Sequence, residues 1–278
     1  MNVEEIFEVQ HLSFVEPAFG DLSGVEFVTD LLAIPALEDC ARLLIDTEDD
    51  PLALALSADK SAWWASTCLY RQMTGEEIDR FEEVGGDLYQ IERSIWERAV
   101  RRSFAEEIRS AIHPAFEDIP PDRTGKLESL IHEVWGHSGS GDCIDCCCGS
   151  GIGSAIVSRM GMEPLAYDND EALIARGLIA GRLVPEGTLC IDGRVADVFL
   201  PPADKGLGIM LGEIHSFEAL VWEELVMVLF DLCDEALITV GTERESDLIK
   251  EWGASVDRKI EVFENERDPI YDRWVCVG

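Results

Sequence analysis

The sequence predicts an α/β protein: a parallel sheet covered by helices on both faces, closed by an antiparallel hairpin and preceded by a mostly α-helical region. Three observations carry this. From residue 142 onward, short apolar runs alternate with helix-like segments, the pattern of a parallel sheet between two helical layers. The run Asp145-Cys146-Cys147-Cys148-Gly149-Ser150-Gly151-Ile152-Gly153 passes from strand to helix through glycines at alternate positions, which lets the chain turn sharply and bring backbone close to a ligand at a helix N-terminus. Finally, residues 255–263 and 270–277 are two strand-like runs with only a short polar loop between them, so they pair antiparallel.

Taken in order, residues 1–50 are punctuated by Pro17, Gly20, Gly24 and Pro35, and 36–45 reads as a short helix closed by the acidic turn 46–50 and Pro51. Thr74-Gly75-Glu76-Glu77 has the capping-box pattern of a helix start. Gly85-Gly86 breaks that helix; Asp87 and Gln90 open another, with Leu88, Ile91, Ile95 and Ala99 on one face, which ends before Pro114. Its arginines 93, 98, 101, 102 and 109 read as a solvated face paired with Glu92, Glu97, Glu106 and Glu107.

Ile119-Pro120-Pro121-Asp122 is a linker, giving a helical region 1–121 and an α/β domain 122–278, whose first helix covers 125–135. His132 and His137 in that helix resemble a zinc-protease pair, but positions five apart lie ~140° apart around a helix and do not share a metal. The strands expected beyond are 143–148, 164–167, 188–191, 207–211 and 235–240, with helices at 152–160, 169–182, 216–232 and 244–252. The last of these opens on a second capping box, Thr242-Glu243-Arg244-Glu245.

Composition narrows the class. No apolar run is long enough to span a bilayer, and Met1-Asn2-Val3-Glu4-Glu5 lacks the basic and apolar regions of a secretory signal, so a soluble, cytoplasmic protein with no membrane partner is expected. The nine cysteines are an odd number and four crowd into 143–148, which suits free thiols in a reducing compartment. Neighbouring side chains on a strand point to opposite faces, so these thiols are read as buried filling and no metal is expected. With 56 acidic against 22 basic residues the formal charge is −34. Such a surface repels phosphate backbones, making nucleic acid an unlikely partner, unless the acidity is an adaptation to a salty cytosol that says nothing of substrate.

A second carboxylate, Asp168, follows the run Leu165-Ala166-Tyr167, 23 residues after Asp145. An acid at the end of a second strand can accept hydrogen bonds from both ribose hydroxyls of a nucleotide-type ligand. A dinucleotide-binding loop is the competing reading, but Gly149-x-Gly151-x-x-Ser154 lacks its usual third glycine or alanine, and that fold has no acid four residues before the first glycine.

On these residues, 125–278 resembles the class I S-adenosylmethionine-dependent methyltransferases. The resemblance implies a three-layer, Rossmann-like, seven-stranded sheet with the last strand antiparallel, and S-adenosyl-L-methionine as cofactor. Cys147 stands where the family usually has glycine. By the family's pattern, Asp145 lies near the amino-acid end of the cofactor, and the backbone of Gly149, Ser150 and Gly151, with Gly153 completing the loop, packs on its sugar and methionine portions. Asp168 with Asn169 takes the ribose, and Asp192 with Gly193 neighbours the adenine amino group. Gly212-Glu213-Ile214-His215 follows the fourth strand, where acceptor-side residues gather; His215 is the candidate base, Glu213 its orienter or a direct contact to the acceptor, and Ser216 the N-cap of the next helix. No Asn/Asp-Pro-Pro-aromatic or Pro-Cys motif stands there. The implied activity is methyl transfer to a small-molecule or protein acceptor, ahead of an RNA methyltransferase or a non-catalytic scaffold of the same fold. The oligomeric state is left open. Residues 1–121 are expected to cap the cleft and set acceptor choice, with Trp63, Trp64, Tyr70 and Arg71 as candidate walls.

Overall fold

Leucines and alanines alternate through Pro51–Leu56, and all five residues after the proline are buried; only a strand packed on both faces buries such a run. It is the central strand of a sheet that the sequence did not announce. The computed structural model describes residues 1–278 except Asp118, Glu213, His215, Ser216 and Phe217. The chain divides into two units, Met1–Glu106 and Glu107–Gly278, a division inside a helix and ahead of the expected linker.

In the first unit the order is α1 (Val3–Ile6), β1 (Leu12–Phe14), α2 (Val28–Leu32), β2 (Ala41–Ile45), β3 (Pro51–Leu56), β4 (Trp63–Thr67), α3 (Gly75–Val84), β5 (Gly86–Gln90) and α4 (Arg93–Ala111), whose last residues belong to the second unit. The strands form a five-stranded sheet, β1-β4-β3-β2-β5, which corrects the expectation of a mostly helical region. Two expectations from local pattern give way to pairing. Residues 36–45 contain β2 rather than a helix, because Ala41–Ile45 lies between β3 and β5. The acidic turn after it closes a hairpin, with Asp46 Oδ1 accepting from the N–H groups of Glu48 and Asp50 at 2.9 Å. Likewise 86–90 is an edge strand, so α4 begins at Arg93. The capping box at Thr74 and the stop at Gly85, whose φ is 71°, are as expected.

Leu31, Leu54, Leu56 and Val84 share one apolar cluster in this unit. Another part of the core is built on Trp96, fully buried, whose Nε1 donates to Thr67 Oγ1 at 3.0 Å and whose ring meets Phe7 edge-on at 5.5 Å. Among the candidate wall residues, Trp63 is buried under the Arg42 guanidinium, Tyr70 is half-buried against Phe19, and the Arg71 side chain forms a buried pair with Glu77. Arg93 pairs with Asp46 rather than with a helical neighbour, and Arg101 is buried beside Glu97.

The second unit continues with α5 (Arg123–Trp135), β6 (Asp142–Cys146), α6 (Ile152–Arg159), β7 (Glu163–Asp168), α7 (Glu171–Ile179), β8 (Thr188–Cys190), α8 (Ala196–Phe199), β9 (Ala203–Gly208), α9 (Ala219–Leu232), β10 (Cys233–Val240), α10 (Glu243–Ser255), β11 (Glu261–Glu264) and β12 (Trp274–Val277). The sheet order is β11-β12-β10-β9-β6-β7-β8. All pairings from β8 to β10 are parallel, and β12 runs antiparallel to both of its neighbours. The seven-stranded sheet with an antiparallel last strand is therefore as the sequence predicts.

Leu207 of β9 shares a cluster with Leu127, Leu130 and Ile131 of α5 and with Ile156 and Val157 of α6. Its neighbour Gly206 points the other way, where a Cβ would come within 2.9 Å of Leu229 on α9, so α9 covers the opposite face. Gly136, at φ 87°, ends α5 before His137. The helical spacing that separated His132 from His137 therefore does not apply, and their rings lie 4.6 Å apart. Among the described residues no group of three or more His, Cys, Asp or Glu side chains could hold a metal, and no helix is long and apolar enough to cross a membrane.

The Arg71–Glu77 pair yields a stability prediction. Burial pushes the Glu77 carboxyl up, but hydrogen bonds from Arg71 at 2.7 and 2.9 Å and from Thr74 outweigh it, so its pKa is lowered. A carboxyl lowered on folding stabilises above its unfolded pKa of about 4.3, and that contribution is lost as pH falls through the folded value. Glu77→Gln leaves a guanidinium buried without its counter-charge and is expected to cost about 3 kcal/mol at pH 7, with the deficit shrinking on acidification. Calorimetric melts of the two proteins from pH 7 to pH 3 check this; a deficit independent of pH sinks the assignment.

Candidate functional site

The site lies at the carboxyl ends of the parallel strands of the second unit, where ligands of open α/β sheets bind. Asp145, one residue from the end of β6, faces Ala166 on β7 and Leu207 on β9. The residue is 1% exposed, and its carboxylate accepts from Ser154 through both N–H, at 2.7 Å, and Oγ–H, at 2.6 Å. Gly153 is packed against it: a Cβ there would sit 3.0 Å from both carboxylate oxygens. Burial pushes the Asp145 pKa up to about 6, against the pull of the two Ser154 hydrogen bonds.

After β6 the chain turns through three left-handed residues, Cys147 at φ 51°, Gly149 at φ 53° and Gly151 at φ 78°. A non-glycine residue there stores roughly 1–3 kcal/mol of strain. This is the physical reason that glycine is usual where Cys147 stands. The turn also ends the alternation of strand side chains, so that Cys146 and Cys147, expected on opposite faces, bring their sulfurs to 3.7 Å. All nine cysteines are free.

Asp168 closes β7 and is tied to the loop. Its Oδ2 accepts from Gly149 N–H at 2.8 Å and its Oδ1 from Asp170 N–H at 2.9 Å; burial nevertheless raises its carboxyl above the usual range. Asp192, after β8, grips Arg194, and that hydrogen-bonded contact holds its carboxyl low. Beyond β9, Met210 also takes a left-handed φ of 52°, and its N–H donates to Thr239 Oγ1 at 2.7 Å. Gly212, at φ 86°, lies so close to Trp222 that a Cβ would be 2.9 Å from the ring.

These residues enclose a cavity of about 840 Å³, within the range of small-ligand and cofactor sites. Asp145, Cys147, Gly149, Ser150, Gly153, Asp168, Asn169, Asp192, Gly193 and Gly212 all line it. Gly151 does not; it lets the loop approach Leu183, where a Cβ would come within 2.5 Å. Glu213 and His215, and the N-cap expected at Ser216, lie outside the described residues.

Sequence reasoning missed the groups that fasten the rim. Glu117 accepts from Arg182 Nη2 at 2.6 Å, Arg176 Nε at 3.4 Å and the Ser150 hydroxyl, while Arg182 Nε donates to Ser150 O at 2.8 Å. The segment before α5 is thereby clamped to the glycine loop, and Ala115 N–H adds a bond to Ala172 O at 2.9 Å. Phe116 between these anchors lines the cavity. Nothing local in the sequence marks Glu117, whose partners are 33 to 65 residues away.

The order of the seven strands, the acids near the ends of β6 and β7, and the glycine loop between them make a Rossmann-like fold, the one that the resemblance in the sequence implies. No family model and no curated protein sequence matches the chain. Among solved structures, magnesium protoporphyrin IX methyltransferase from Synechocystis PCC 6803, with bound cofactor, is 11% identical with a TM-score of 0.46, over 65% of this chain and 96% of its own. A T. thermophilus 16S rRNA methyltransferase, in complex with cofactor and guanosine, is 17% identical with a TM-score of 0.44, over 59% of this chain and 44% of its own. The ribosomal protein L11 methylase from Lactobacillus delbrueckii subsp. bulgaricus is 16% identical with a TM-score of 0.43, over 59% and 81%. The likeness is one of fold alone. By their names these three act on a porphyrin, an rRNA and a protein, so the expectation that nucleic acid is an unlikely partner finds no support among them.

The buried Asp145 carboxylate yields a prediction of opposite sign to that for Glu77. A carboxyl raised on folding binds its proton more tightly in the folded state, so stability falls as pH rises from its ordinary value near 3.9 to about 6. That gap corresponds to ~3 kcal/mol at neutral pH. Asp145→Asn keeps an oxygen for Ser154 and removes the buried charge. Its melting temperature is expected to exceed that of the wild type at pH 8, with the advantage fading by pH 4; a variant less stable at pH 8 overturns the assignment.

Proposed function

We propose that the protein binds S-adenosyl-L-methionine in the cleft of the second unit and transfers its methyl group to an acceptor. The observation that carries this reading is the pair of carboxylates at adjacent strand ends, Asp145 and Asp168, bracketing a left-handed loop in a cavity of cofactor size. The fit is supported at Gly149, where an added Cβ would meet no protein atom within 4 Å although the residue lines the cavity. The protein's own packing leaves that space open, as a ligand pressed on the loop requires.

In this reading Asp168 accepts the two ribose hydroxyls while keeping Gly149 N–H, the backbone of Gly149 and Ser150 supports the sugar and methionine portions, and Asp192 and Gly193 border the adenine. When bound, the cofactor supplies a methyl group made electrophilic by its sulfonium. The work left to the chain is to hold the acceptor in line, exclude water and take up a proton, and positioning alone is worth ~7–11 kcal/mol of barrier. Met210, Val221 and Trp222 line the cavity beyond β9, where the acceptor is proposed to enter. A small molecule or a protein side chain is favoured as acceptor, because the five carboxylates of the lining, Glu117, Asp145, Asp168, Asp192 and Glu218, repel a phosphate backbone. Glu213 and His215 keep their proposed roles on sequence grounds. The division of labour between the helix-and-sheet first unit, as acceptor region, and the second, as cofactor domain, is likewise part of this proposal.

Two measurements test it. Isothermal titration is expected to give saturable binding of S-adenosyl-L-methionine, weakened about 10- to 100-fold by Asp168→Ala, the range of hydrogen bonds to a charged group; a change within about threefold in a folded variant refutes the ribose assignment. His215→Ala is expected to lower turnover by about 10² or more with unchanged cofactor affinity, most clearly above pH ~6.5, where an imidazole base is neutral. Wild-type turnover in that variant across pH 6–9 leaves the reaction to positioning alone.

A further inference from the structure

The cofactor proposed above carries a carboxylate beside its ammonium and sulfonium charges, and that carboxylate has to be received in a cleft dominated by acids. Among the described residues only two cations line the cavity, Arg123 and Arg194. Arg194 is committed: it holds Asp192 through Nε, at 3.0 Å to both oxygens, and through Nη2, its Nη1 lies 3.8 Å from Glu224, and its side chain is 47% exposed.

Arg123 is held differently. Its side chain is 13% exposed, its Nε donates to Asp272 Oδ2 at 3.3 Å, and its guanidinium lies 5.1 Å from the centre of the Tyr271 ring. Among the described residues Nη1 and Nη2 have no protein partner. Asp272 is itself fixed, accepting at Oδ1 from Thr239 Oγ1 at 2.7 Å and, through its carbonyl, from Asn265 at 2.9 Å. Thr239 in turn receives Met210 N–H. The fork is thus preorganised by a buried chain of bonds that reaches the left-handed Met210 beyond β9, and two of its nitrogens are left to a ligand. Arg123 is also the first residue of α5, whose N-cap Asp122 makes no side-chain capping bond, so the positive end of the helix adds to its charge.

Building on the cofactor reading, we infer that Arg123 receives the carboxylate at the amino-acid end of S-adenosyl-L-methionine through its two terminal nitrogens. A planar guanidinium suits this role, since its parallel N–H pair matches the two oxygens of a carboxylate. Asp272 and Thr239 are positioning residues that keep the fork aimed.

The test is a thermodynamic cycle on the full-length protein, titrating S-adenosyl-L-methionine and its decarboxylated analogue into wild type and Arg123→Gln. The wild type is expected to bind the carboxylate form more tightly. Arg123→Gln is expected to lose about 10- to 100-fold for that form and to bind the decarboxylated analogue within about threefold of wild type. Because Arg123→Gln orphans the buried Asp272, the double variant Arg123→Gln/Asp272→Asn repeats the cycle with neither charge present, and thermal melts establish that it folds. An equal loss for both ligands assigns Arg123 to the architecture of the cleft and overturns the inference. So does an unchanged affinity for S-adenosyl-L-methionine, which would leave Arg123 to an anionic acceptor. Wild type that binds neither ligand ends the cofactor reading and this inference together, whereas wild type that binds both equally ends this inference alone.

Discussion

The second unit is organised around a carboxylate taken out of water beneath a glycine loop. Asp145 is tolerated there because Ser154 gives it two hydrogen bonds from the first turn of α6, and those bonds fix where the helix starts relative to the strand. Gly153 has to be glycine-sized for the same reason, since the carboxylate occupies the space of its side chain. A second carboxylate, Asp168, then ties the loop to the next strand through Gly149. The glycine loop is thus held from below by one acid and from the side by another. Its shape follows from those three bonds as much as from its own flexibility.

Beyond β6 and beyond β9 the chain passes through a left-handed residue with a side chain that lines the cavity, Cys147 and Met210. Such conformations persist only where the surroundings over-determine them. Around Cys147 the surroundings are the bonds of the loop; around Met210 they are Thr239 and, through it, Asp272 and Arg123. Strain and buried charge therefore coincide in the cavity lining, as they do at sites built to hold a ligand rather than to maximise stability.

What the sequence made legible was whatever its local pattern enforces. The β/α alternation, the terminal hairpin, the capping boxes at Thr74 and Thr242, and the acids near the ends of β6 and β7 all follow from periodicity or from residues within a few positions of one another. The sheet of the first unit is hidden because β2 and β5 are short: Ala41–Ile45 and Gly86–Gln90 lack the alternation that marks a half-buried strand, and it is pairing, of β2 with β3 and of β5 with β2, that makes them strands. The rim was invisible for a related reason. Glu117 and Arg182, or Arg123 and Asp272, are ordinary charged residues until the fold joins positions 65 and 149 apart. Cys147 is intermediate: its oddity against the glycine pattern was readable, but the backbone angle that makes it odd was not.

The core of the second unit binds its first helix to its last strand, for Leu127, Leu130 and Ile131 share a cluster with Leu237 and Val275. A chain emerging from the ribosome in order makes α5 and the glycine loop early, yet neither Asp272 nor β12 exists to receive them until almost the whole unit has been synthesised. Contacts of such long sequence separation carry a loop-closure cost that slows folding, and until they form, the part of the α5 cluster that Leu237 and Val275 complete stands uncovered. Translation of the second unit thus passes through an interval in which β12 is still missing and α5 is in part adhesive, when a chaperone has the most to protect.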